Sequence, residues 1–163
     1  MFSIIIPTLN EEKFLPKLLS SLSTQTKKDF EVIVVDGSSK DKTVVVAKSF
    51  ARKLPKLQVM VSHQASLPLQ RNMGARKAHG EWFVFIDADS IVVPHFIERI
   101  SEFIREENPS FFTTWMRPDS NKPGEANIAL LGNMMFEMAV VFRRPLPSGP
   151  LTAVTRKAFE KVG

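Results

Sequence analysis

Short apolar runs alternate along this chain with longer stretches in which apolar residues recur every three or four positions. Ser3 to Ile6 is β-branched and closes at Pro7, as a buried strand ending in a loop does. After Thr8-Leu9-Asn10, Leu15, Leu18, Leu19 and Leu22 fall on one stripe, which predicts a helix. Asn10 is its expected N-cap, and Glu11 and Glu12 suit the positive end of its dipole. The alternation then repeats. Glu31 to Val35 reads as a strand, Asp36-Gly37-Ser38-Ser39 as a turn, and Asp41 to Lys53 as a helix capped by Asp41. Leu57 to Val61 is a third strand and Leu69 to His79 a helix stopped at Gly80. Trp82 to Ile86 is a fourth strand, closing on Asp87-Ala88-Asp89. Strands separated by helices predict an α/β fold with a mostly parallel, Rossmann-like sheet and helices on both faces.

The second half is less regular. Pro94 suits a helix first turn, and Phe96, Ile97, Ile100, Phe103 and Ile104 form the inner face of a helix running to Glu107. Phe111 to Trp115 reads as strand, Arg117 to Glu125 as a polar loop, and Ala126 to Phe142 as an apolar helix. Breakers fill Arg143 to Pro150, before a strand around Ala153 to Thr155 and a helix starting at Lys157. With 163 residues, 44% of them hydrophobic, the chain suits one core, so residues 1–163 are read as one domain. Residues 1–116 form its first half and 117–163 its second. Ala126 to Phe142 is short for a membrane span, and Glu137 is costly there. Two roles stay open for it: a helix buried beside a cleft, or, with Arg143 and Arg144 following, peripheral membrane contact.

Composition narrows the chemistry. There is no cysteine, so a metal would be held by oxygen or imidazole, and carboxylates favour Mg²⁺ or Mn²⁺. His63, His79 and His95 have no paired metal spacing. A net charge of +5 favours anionic partners, but the basic residues are scattered and not interleaved with aromatics, which argues against nucleic acid. Met1 leads almost directly into the first strand, without the basic and long apolar regions of a signal peptide, so a cytoplasmic location is expected, including the inner face of a membrane.

Ligands of open parallel sheets sit beyond the carboxyl ends of the strands, where loop backbone and helix N-termini are free. Thr8, Asn10, Asp36, Asp87 and Asp89 all fall at such ends. Asp36, Asp87 and Asp89 are expected to gather along one rim. Two carboxylates one residue apart can share a divalent cation with nucleotide phosphates. The alternatives are that Asp89 caps a helix, that Asp87 ends a turn and that Asp36 serves an Asp-Gly-Ser turn. Arg71 opens a helix, where a cation opposes the dipole; it either meets an anion or is solvated.

Four ordered stretches resemble the inverting glycosyltransferases of family 2, of the GT-A fold. They are Ser3 to Glu12, Glu31 to Thr43, Arg71-Asn72-Met73-Gly74 and Phe85-Ile86-Asp87-Ala88-Asp89. The resemblance implies transfer of a sugar from a nucleotide-diphosphate sugar donor to an acceptor hydroxyl, on a glycan or a lipid-linked acceptor. By it Pro7, Thr8 and Glu11 line the nucleoside pocket, Asp36 meets the base, and Arg71 lies near base and phosphates. Asp87 reaches the ribose, and Asp89, paired with Asp87, holds Mg²⁺ or Mn²⁺. Residues 147–163 resemble the acceptor-side segment, which an acidic general base follows in relatives; no position here matches that base. Glu125, Glu137 and Glu160 are read as solvated or capping. The competing readings are a non-catalytic nucleotide-sugar-binding module, a membrane-surface adaptor, and a haloacid-dehalogenase-type phosphatase, whose aspartate pair belongs on the first core strand.

Overall fold

The computed structural model describes residues 1–114, 127–128, 130–134 and 151–162. Its centre is a parallel array of β1 (Phe2–Thr8), β2 (Phe30–Asp36), β3 (Leu57–Val61) and β4 (Trp82–Ile86). Interleaved with them are α1 (Leu15–Ser23), α2 (Thr43–Ser49) and α3 (Leu67–Lys77). Then follow α4 (Phe96–Glu107), β5 (Phe111–Thr113), β6 (Leu151–Thr155) and α5 (Arg156–Val162). The sheet order is β3-β2-β1-β4-β6-β5. β6 runs antiparallel to β4, and β5 antiparallel to β6, so the sheet is mixed at one edge.

Every residue of β1 and β2 is buried, as expected where helices cover both faces and the strands read as continuous apolar runs. Side-chain alternation divides the core. Ile4, Ile6, Val32, Val34, Val84 and Ile86 meet the leucines of α1, Ala47 of α2, and Phe96, Ile97 and Ile100 of α4. Ile5, Ile33, Val35, Phe83 and Phe85 face α3 and α5. Gly74 lets α3 lie directly on β1, because a Cβ there would collide with Ile5 Cγ2.

Several local expectations are corrected. Asn10 does not cap α1, which begins at Leu15; it adopts a left-handed conformation (φ 57°) and accepts the Lys40 N–H at 2.9 Å. A partner distant in sequence thus displaces the local cap. Asp41 accepts the Thr43 N–H at 2.9 Å, but the N-cap of α2 is Lys42 and the helix runs from Thr43 to Ser49 rather than from Asp41 to Lys53. α4 begins at Phe96 with His95 as its N-cap, left-handed at φ 60°, so Pro94 precedes the helix instead of lying in its first turn. The expected strand from Phe111 is confined to β5. Residues 127–128 and 130–134 are helical, with Ile128, Leu130, Leu131 and Met134 exposed and Asn133 buried. The loop expected at Arg117 to Glu125, most of the apolar segment beyond Met134, and Arg143 to Pro150 lie outside the described residues. No described helix is long and apolar enough to cross a membrane.

At the amino-terminal edge of the sheet, Glu31 is buried on β2 and accepts the Ser3 hydroxyl (2.6 Å), the His79 N–H and, at 3.1 Å, the His79 ring nitrogen. The Ser3 hydroxyl oxygen in turn accepts the Gly80 N–H at 2.8 Å. Arg156 donates to the Ala78 and Gly80 carbonyls, tying α5 to the same corner. Burial opposes ionisation of Glu31, yet the bonds from Ser3 and His79 outweigh it and hold its pKa below the ordinary value. A depressed carboxylate stabilises the fold above its unfolded pKa, and that stabilisation is lost as pH falls through the folded pKa. Glu31→Gln is therefore expected to cost about 1–3 kcal/mol at neutral pH. In urea unfolding the gap to the unsubstituted chain should close under acid conditions; equal stability at neutral pH would contradict this role.

Candidate functional site

The parallel strands end together, with Thr8 of β1 paired to Asp36 of β2. Asp36 is 1% exposed. Its carboxylate accepts the Thr8 hydroxyl (3.1 Å), the Ser39 N–H (2.8 Å) and the Ser39 hydroxyl. The Asp36 carbonyl accepts the Ser62 N–H at 2.6 Å, so this one residue organises three consecutive loops. Below it Gln70, buried on α3, donates its amide to the carbonyls of Thr8 (2.9 Å) and Val35 (2.7 Å). Pro7 lies within β1, buried opposite Val35. Pro7, Thr8 and Asp36 thus form the floor of the rim rather than its surface.

Above the floor two loops interlock through backbone groups. The Asn10 N–H donates to Ser39 Oγ (2.8 Å), the Glu11 N–H to Thr43 Oγ1 (2.8 Å) and the Glu12 N–H to Asp41 (3.1 Å). The Lys42 N–H returns to Glu12 at 2.9 Å. This stitching fixes where Glu11 points.

Asp87 and Asp89 follow β4, in a turn closed by the Ser90 N–H on the Asp87 carbonyl at 3.0 Å. Arg71, on the first half of α3, reaches across to Asp87 at 3.3 Å and lies over the Phe85 ring, 5.6 Å from its centroid. Its Nε is buried and has no hydrogen-bond partner among the described residues, a cost that a bound acceptor atom would remove. Asp89 is exposed, and it lines a cavity of about 410 Å³ with Glu11, Phe14, Lys17 and Ile91.

The acids feel one another. The Glu11 pKa is raised by burial first, then by the charges of Asp89, Asp41 and Asp87. That of Asp87 is raised by burial, a shift that Arg71 opposes and Asp89 reinforces. Glu11, Asp87 and Asp89 therefore share a negative field beyond β1 and β4, while Asp36 is occupied beneath them. Among the described residues no three His, Asp or Glu side chains converge as a ready-made metal cage. A hard cation attracted here would need oxygens from a ligand as well as from the protein.

The other candidates lie elsewhere. His95 Nδ1 is engaged by Glu98 (2.7 Å) and Thr26 (3.2 Å), away from Asp89. Glu160 is exposed and pairs with Arg156 at 3.7 Å, while Glu125 and Glu137 lie outside the described residues. Sequence reasoning missed Gln70, whose signal was a polar residue beside Arg71 on an otherwise inward-facing position. It also missed Ser39 and Thr43, whose hydroxyls join loops about thirty residues apart in sequence.

The glycosyl transferase family 2 profile matches residues 3–163. A PGL/p-HBAD biosynthesis glycosyltransferase of Mycobacterium bovis is 40% identical over 112 residues, which is 68% of this chain and 44% of that protein. The structure of Staphylococcus aureus TarS in complex with UDP-GlcNAc superposes with a TM-score of 0.69 and 31% identity, covering 74% of this chain and 36% of that one. The mannosyltransferase PcManGT of Pyrobaculum calidifontis, in complex with GDP-Man and Mn²⁺, superposes with a TM-score of 0.74 at 22% identity, covering 99% of this chain and 46% of that one; at that identity it speaks for the fold. This chain spans less than half the length of each.

Because the raised Glu11 carboxyl ionises against burial and like charges, its charge destabilises the ligand-free fold above its pKa. Glu11→Gln, which keeps the side-chain shape, should raise the melting temperature of the ligand-free protein at neutral pH by about 1–2 °C. A lower melting temperature in differential scanning calorimetry would show that Glu11 supports the fold instead.

Proposed function

The chain belongs to glycosyl transferase family 2, and from that premise we propose that its carboxyl-terminal rim binds a nucleoside-diphosphate sugar with Mg²⁺ or Mn²⁺ for transfer to an acceptor hydroxyl. The observation that carries this reading is the cavity lined by both Glu11 and Asp89, where burial and the charges of Asp89, Asp41 and Asp87 raise the Glu11 pKa, with Asp87 itself paired to Arg71 at 3.3 Å. In this reading Asp89, supported by Asp87, holds the cation through carboxylate oxygen, the donor type that Mg²⁺ and Mn²⁺ prefer. A bound cation would offset the charge of the departing diphosphate. The donor's own phosphate oxygens complete the coordination that the protein leaves open.

Arg71 supplies the complementary positive charge, and its unsatisfied Nε is a ready donor to a phosphate or base oxygen. Asp87 reaches the ribose. For Asp36 to meet the base, the base must descend to the floor of the rim, where Oδ2 keeps acceptor capacity, since a carboxylate offers about four acceptor sites and three are filled. Pro7, Thr8 and Glu11 bound the nucleoside. Inverting transfer requires a base on the acceptor hydroxyl as it attacks the anomeric carbon opposite the diphosphate. Glu160 is engaged with Arg156, and no described acid of the second half is given that role. The acceptor is a glycan or lipid-linked hydroxyl, and the setting is cytoplasmic, at the inner face of a membrane if the acceptor is lipid-linked.

Calorimetry with UDP- and GDP-sugars is expected to show binding that strengthens with Mn²⁺. Asp89→Ala, shown to be folded by circular dichroism, should remove the Mn²⁺ dependence; an unchanged dependence overturns the cation assignment. Arg71→Ala should weaken nucleotide binding by about tenfold or more, because a charge-assisted hydrogen bond is lost. Tight donor binding without sugar transfer or donor hydrolysis would mark a non-catalytic binding module instead.

A further inference from the structure

Along the sequence the basic residues are scattered, but set against the acids they are not. Residues 40–56 carry Lys40, Lys42, Lys48, Arg52, Lys53 and Lys56 against one acid, Asp41, so the chain's whole net charge of +5 resides in this segment. It comprises α2 with the loop before it and the turns after it. α2 packs against α1, β2 and β3, at the edge of the sheet opposite β5. All six cations are exposed, and none forms an ion pair among the described residues. Lys53 lies over the Phe50 ring, 5.4 Å from its centroid, and Lys56 reaches the Met1 sulfur at 3.9 Å. Asp41 does not answer the others, since its carboxylate is occupied by the N–H groups of Thr43 and Glu12.

Lys42, Val45, Lys48 and Arg52 recur every three or four residues and are exposed together, while Thr43, Ala47 and Leu54 are buried beneath them. Val45 stands in their midst, 67% exposed. Single-stranded nucleic acid calls for exposed rings between the cations, and the one ring in the segment, Phe50, is half-buried under Lys53. A second copy of the chain would bring like charges together. Five of the six cations are lysines, compact charges better suited to diffuse attraction by many headgroups than to bidentate capture of one anion. We propose that this face docks on a bilayer containing anionic phospholipids, with Val45 entering the headgroup region. The proposal does not rest on the transferase reading. Because Thr43 Oγ1 at the start of α2 holds the Glu11 N–H, a docked face would bring the rim to the bilayer surface.

The test is cosedimentation with vesicles of phosphatidylcholine alone and of phosphatidylcholine mixed with phosphatidylglycerol. The protein should partition about tenfold or more in favour of the mixed vesicles, and the preference should fade as salt is added. Lys48→Glu combined with Arg52→Glu should lower binding to the mixed vesicles by about tenfold or more. Arg76→Glu combined with Lys77→Glu makes the same change of net charge on α3, across the sheet, and should lower it by less than about threefold. Both pairs are exposed, and both variants should keep the circular dichroism of the unsubstituted chain. The emission of Val45→Trp should move to the blue on the mixed vesicles. Equal losses in the two double variants, no preference for the mixed vesicles, an unshifted emission, or tighter binding to single-stranded RNA than to the mixed vesicles overturns the proposal. Nucleotide-sugar binding measured in the same samples bears on the transferase reading alone: its absence would remove that reading and leave the vesicle response in place.

Discussion

Parallel strands leave carbonyls and polar side chains without ladder partners where they end, and here those groups are satisfied by one buried polar knot. Asp36 takes Thr8 and Ser39, its carbonyl takes Ser62, and Gln70 closes the carbonyls of Thr8 and Val35 from below. A buried carboxylate is costly unless each bond is made, so the loops after β1, β2 and β3 have little freedom to move independently. The cavity inherits its shape from that floor. Glu11 is aimed by a web of bonds among Asn10, Glu12, Ser39, Asp41 and Thr43.

The two ends of the sheet treat acids in opposite ways. At the amino-terminal edge Glu31 is fully bonded and its pKa is depressed, so its charge stabilises the fold. At the carboxyl-terminal rim Glu11 and Asp87 are raised by burial and by their neighbours, so their charges cost stability until something positive arrives. Arg71 offsets part of that cost at Asp87 only. In the proposed function, that cost is what a bound cation would offset.

Much of this was legible in the sequence. The strands β1 to β4 and their helices followed from apolar runs and three-to-four-residue stripes, because both faces of the sheet are covered and each core strand is apolar throughout. Direction was not legible in the last strands: β6 pairs antiparallel with β4, and periodicity carries no sign of orientation. Caps failed where a distant loop competed, as at Asn10, since local signals cannot report a partner thirty residues away. The rim itself was placed by the rule for parallel strands, but the division of labour among its acids was not. Asp36 lies beneath the surface because Thr8 and Ser39 can reach it, and Glu11 takes the place beside Asp89 because its loop is pinned from the neighbouring strand.

In the proposed function, cation and diphosphate meet the chain beyond β1 and β4, against Glu11, Asp87 and Asp89. Paramagnetic broadening of amide resonances, with Mn²⁺ titrated into isotope-labelled protein holding a nucleoside-diphosphate sugar, reads that position directly. Broadening is expected to centre on Glu11 to Phe14 and on Asp87 to Ile91. Broadening centred on the Glu31 and His79 edge, or on the far end of α4 around Glu106, would contradict it.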